Sequence, residues 1–161
     1  MEAALAHELG HFVGIGHSSV TDPLLEDEIL PTLFYSIFPR DDSQGRTIEV
    51  DDIAAISTLY PAKPFSETLG AIKGQVVDTD LSGMFGVSVV AINRENGTAI
   101  GILSGHNEGD GGDGHFVMSG VPAGTYAILV QSIDGSEAVS ELSPANIGGI
   151  FTGADRNFTA E

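Results

Sequence analysis

Residues 7–17 read HELGHFVGIGH and hold three of the chain's five histidines. His7 and His11 stand four residues apart, which in a helix projects both rings from one face. Two imidazoles so placed can reach one metal ion at bond lengths of about 2.0–2.1 Å. A third ligand must come from another direction if a tetrahedron is to keep one corner open. Gly14 supplies the route, because glycine at a helix end readily takes the left-handed conformation that turns the chain back. His17 follows three residues later. Glu8 sits beside the pair, able to accept a proton without ligating. Such a set supports hydrolysis by water that a metal has made acidic, with the carboxylate as base.

The element that must carry this set is EAALAHELGHFV, residues 2–13, a strong helix former rich in Ala, Leu and Glu. Leu5, Leu9 and Phe12 form one apolar row, and Ala3, Ala4, Ala6 and Val13 leave only Glu2, His7, Glu8 and His11 polar. A helix apolar almost all round is predicted to lie between layers. Residues 18–48 read as irregular. EVDDIAAISTLY (49–60) reads as a second helix, with Ile53, Ile56 and Tyr60 on one side and Asp51 and Asp52 suiting the dipole of its first turn. Pro61 and Pro64 mark a linker over 62–69. From Gly70 onward, apolar residues alternate between Gly-rich turns: Val87, Val89 and Ala91; Phe116 and Met118; Tyr126, Ile128 and Val130. Short strands of this kind predict an antiparallel β-sandwich.

The chain carries 23 acidic residues against 6 Lys and Arg, for a net charge of −17. A surface of that sign repels phosphate backbones, which excludes nucleic acid as an expected partner. With no Cys, disulfides, thiolate catalysis and Cys-based zinc sites are excluded. No apolar run is long enough to span a membrane.

HExxH alone is a weak signal, but the five fixed positions of HExxHxxGxxH arise by chance at roughly 10⁻⁷ per starting position. The pattern resembles the metzincin metalloproteases. Ser18, directly after the third histidine, is similar to the matrixin-like branch, as is IEVDDIAAISTLYP with its paired acids and Leu-Tyr end. This resemblance covers residues 1–61. It implies that His7, His11 and His17 bind Zn²⁺, that Glu8 is the general base, and that the substrate is a peptide or protein met outside the cell. It also implies a methionine beneath the metal, a place that Leu33 takes in ILPTLFYS. Phe34 to Arg46 would form the wall of the pocket for the side chain after the scissile bond. The family sets a twisted sheet ahead of its zinc helix, so the chain is expected to be the C-terminal part of a larger catalytic domain.

The later residues resemble a second family, the carboxypeptidase regulatory-like domains of the transthyretin-like class. GQVVD (74–78), GVSVVAIN (86–93) and DGHFVMSGVPAGTY (113–126) carry that likeness. The expected fold is therefore α+β in two parts. Residues 1–61 are a partial metzincin catalytic domain and 62–69 a linker. Residues 70–161 are an antiparallel β-sandwich of prealbumin-like type, acting as an accessory to the enzyme. Its turns at 78–83 (DTDLSG) and 107–114 (NEGDGGDG) are oxygen-rich enough to hold Ca²⁺. His106 and His115 flank the second of these and are expected to face solvent. The leading function is a secreted zinc metalloendopeptidase. The alternative is a non-catalytic binding or scaffold module with a vestigial zinc site.

Overall fold

The computed structural model describes residues 2–18, 47–63, 65–105 and 113–131. Helix α1 spans Glu2–Phe12, α2 Val50–Leu59 and the single turn α3 Phe65–Thr68. Five strands follow: β1 Gly70–Gln75, β2 Ser88–Asn93, β3 Ala99–Leu103, β4 His115–Val121 and β5 Tyr126–Gln131. The class is α+β with antiparallel sheets. One sheet pairs β1 with β4, and the other runs in the order β3-β2-β5. Leu33, the segment Phe34 to Arg46, His106 and the tail beyond Gln131 lie outside the described residues.

The two sheets share one apolar core. Val87, Val89 and Ala91 of the β2 region face Phe116, Met118 and Val121 of β4, with Val76, Met84 and Ile100 closing the gaps. The alternation read along β2 and β4 thus marks inward-facing side chains. In β5, Tyr126 and Val130 pack against this core, whereas Ile128 is exposed. Strand β3 escapes sequence reading because AIGIL neither alternates nor avoids glycine. Its pairing to β2 is regular, from Ser88 opposite Leu103 to Ile92 opposite Ala99.

Helix α2 belongs to this core. Ala54 is buried within it, and Val50 packs alongside. The approach is close: a Cβ on Gly120 would lie 2.9 Å from the Ala54 Cα, and Gly120 also adopts φ +76°. Only glycine satisfies both conditions. The face that α2 buries differs from the one its Ile-Ile-Tyr row predicts. Ile53 and Tyr60 are exposed, while Asp51, Asp52 and Ala54 are buried. That face meets two donors, the Ser18 hydroxyl and the Gly101 N–H, which the Asp51 carboxylate satisfies and an isoleucine would not. The Asp52 carboxylate accepts from the backbone N–H of Glu49 at 2.9 Å, closing the start of the helix.

Helix α1 buries Ala3 and His7. Leu5, Leu9 and Phe12 point outward, Phe12 with 86% of its surface exposed. The helix ends as predicted. Gly14 takes φ +95° and its N–H donates to the His11 carbonyl at 3.0 Å. No helix among the described residues is long and apolar enough to cross a membrane.

Candidate metal centre

The turn at Gly14 brings His17 back onto the face of α1 that carries His7 and His11. The three Nε2 atoms converge: His7 to His11 is 3.1 Å, His11 to His17 3.1 Å, and His7 to His17 3.2 Å. Metal–nitrogen bonds of about 2.05 Å at tetrahedral angles set donor atoms about 3.3 Å apart. The observed spacing is close to that value. Among the described residues, these three form the group of His, Asp and Glu donors close enough to share a metal ion.

The chemistry of the donor set agrees with its spacing. The His11 Nδ1 lies 2.9 Å from the Ile15 carbonyl, which can only accept, so Nδ1 carries the proton. That leaves a lone pair on His11 Nε2, facing the other two rings, which is the tautomer a metal ligand needs. Burial lowers the pKa of His17, and neighbouring His11 and His7 add to that, with the Glu8 carboxylate opposing. A neutral His17 is again the ligating form. The residues therefore fit a divalent cation with nitrogen preference, of which zinc is the foremost case. Glu8 is exposed on α1, one residue after the buried His7.

Helix α2 supports the turn that presents His17. The Ser18 hydroxyl donates to the Asp51 Oδ2 at 2.5 Å, with both side chains buried. The other Asp51 oxygen, Oδ1, accepts from the backbone N–H of Gly101 in β3 at 2.8 Å. Burial raises the Asp51 pKa to about 6, the two hydrogen bonds pulling the other way. Sequence reasoning assigned Asp51 to the helix dipole and to the paired acids of the matrixin-like pattern, and gave it no partner. The signal it missed is that a Ser after the last ligand needs a buried acceptor.

The remaining candidates lie elsewhere. The Asp78 Oδ1 accepts from the N–H groups of Asp80 and Ser82, and the Asp80 Oδ1 also accepts from Ser82. These oxygens serve their own turn, and calcium gains no support there. His115 is exposed and its Nδ1 is 2.7 Å from the Asp113 carboxylate.

Comparison with known proteins points the same way over part of the chain. It is 33% identical to metalloendoproteinase 4-MMP of Arabidopsis thaliana over 82 residues, 51% of this chain and 21% of that protein. It is 35% identical to metalloendoproteinase 5-MMP of the same plant over 66 residues, 40% of this chain and 15% of that protein. The chain thus spans about a fifth or less of the length of these relatives. No protein-family model matches it, and no solved structure does. Partial similarity to plant metalloendoproteinases, together with a three-histidine cluster of metal-binding geometry, is what the comparisons and the fold establish in common.

Proposed function

We propose that the chain carries the zinc centre of a matrixin-like metzincin endopeptidase. In this reading His7, His11 and His17 hold the ion and Glu8 is the general base. The observation that carries it is the convergence of three Nε2 atoms within 3.2 Å of one another. Zinc, when bound, supplies a Lewis acid that polarises a peptide carbonyl and makes water acidic near neutral pH. Glu8 takes the proton of the attacking water at its carboxylate and returns it to the leaving amine. The Ile15 carbonyl holds the His11 ring in its ligating tautomer, and Ser18 fixes the end of the turn that presents His17. The substrate is an extended peptide or protein, and the setting is extracellular. Residues 1–61 act as the catalytic part, 62–69 join, and 70–161 act as a prealbumin-like accessory sandwich. Two antiparallel sheets over a common core support that last assignment.

The test is zinc stoichiometry on stripped and reconstituted protein, paired with peptide hydrolysis. About one zinc per chain, with hydrolysis lost to chelators and to Glu8→Ala, is the expected result. Zinc binding without hydrolysis would favour the scaffold reading instead.

A further inference from the structure

The Asp51 carboxylate touches both halves of the described structure near the histidine cluster. Its Oδ2 receives the hydroxyl of Ser18, the residue after His17, and its Oδ1 receives the Gly101 amide of β3. The Gly101 N–H is free to do this because of the register. Asn93 N–H donates to the Thr98 carbonyl and Ser104 N–H to the Val87 carbonyl. The ladder between β2 and β3 is therefore carried by Val87, Val89, Ala91 and Asn93. Val90 and Gly101 form a pair without mutual hydrogen bonds, and the Gly101 N–H points away from β2. The helix that bears Asp51 has little freedom to shift, because Ala54 is seated on the Gly120 backbone of β4.

We propose that the β-sheet unit is a working part of the metal centre: through Gly101, Asp51 and Ser18 it positions His17 and so sets zinc affinity. This deepens the zinc reading and rests on it. Asp51 is a positioning residue in this scheme, since it acts on the metal only through Ser18 and the turn. The coupling must also be reciprocal. If the Gly101 contact tightens zinc binding, bound zinc must strengthen the Gly101 contact by the same factor.

The experiment uses the full chain and zinc as the probe. Zinc affinity is read by competition with a chromophoric chelator for the unsubstituted protein, Ser18→Ala, Gly101→Pro and the double variant. Proline at 101 removes an N–H that no strand uses, so the sheet keeps its ladder. Each single change is expected to weaken zinc binding about tenfold, the low end for residues that orient metal ligands. The double variant should lose no more than either single one, because both cut the same link. Undiminished affinity in Gly101→Pro, or losses that multiply, would overturn the proposal. Should Gly101→Pro fail to fold, hydrogen exchange at the Gly101 amide of the unsubstituted protein decides instead. Zinc should slow that exchange about tenfold, by the same linkage, and Ser18→Ala should abolish the slowing. Exchange indifferent to zinc sinks the coupling while leaving the metal centre intact. An unsubstituted protein that binds no zinc sinks both, and the two failures are thereby distinct.

Discussion

The phenol of Tyr60 donates to the carbonyl of Val13 at 3.1 Å, across 47 residues of sequence. The residue that caps α2 thus holds the chain where α1 ends. With Ser18 bound to Asp51, α2 grips both ends of the turn that carries His17. The Tyr60 contact is exposed, so it should be the weaker grip. Tyr60→Phe should cost less than about 1 kcal/mol of stability by urea unfolding. It should also leave zinc affinity within about threefold, by the same competition assay.

Each histidine of the cluster should be indispensable to the metal. His11→Ala removes both an Nε2 donor and the ring that meets the Ile15 carbonyl. Zinc affinity should fall by at least about a hundredfold, measured by titration calorimetry. Retention of tight binding would mean that the ion sits elsewhere.

In the proposed mechanism, Glu8 separates binding from chemistry. Glu8→Gln keeps the shape of the side chain but cannot take a proton. Zinc content should be unchanged while peptide hydrolysis drops about 10²–10⁴-fold, read by cleavage of a quenched fluorescent peptide.

Asp51 makes the metal-free protein's stability depend on pH in a stated direction. Burial raises its pKa from 3.8 to about 6, so the folded state holds a proton that the unfolded state has already released. Stability from this group is therefore fullest below the unfolded value. It is lost as pH rises through the folded one, by about 3 kcal/mol in all. Asp51→Asn has no such titration. Its stability relative to the unsubstituted protein should rise between about pH 4 and about pH 7, followed by urea midpoints. A gap independent of pH would show that the carboxylate titrates normally.

Gly120 fixes the seat of α2. Alanine there would meet the Ala54 Cα at 2.9 Å and hold a positive φ that side chains disfavour. A loss of about 2 kcal/mol or more is expected, measured by thermal unfolding.

The convergence of the three histidines was legible in the sequence because its parts are local. A four-residue spacing on a helix and a glycine three residues before the last histidine need no tertiary information. The helix containing Asp51 and Asp52 was legible as an element, but its buried face was not. Apolar periodicity picks the side with Ile53 and Tyr60, whereas the docking depends on Ala54 meeting a bare glycine and on Asp51 meeting two donors. Those partners, Gly120 and Gly101, lie 66 and 50 residues away from Ala54 and Asp51. Nothing in the local pattern marks either glycine as a receptor for a helix. The same is true of β3, where Gly101 interrupts the strand signal at the residue that the helix uses.

The placement of Asp51 also bears on self-association. An outward amide on a strand such as β3 is a template onto which a strand of another molecule can add. Here that amide is already taken by a buried carboxylate, and the helix around it occupies the approach. Residues 70–161 expressed without α2 would leave the Gly101 amide bare, inviting sheet growth from one chain to the next. On this account the helix that bears Asp51 would also guard β3 against strand addition at Gly101.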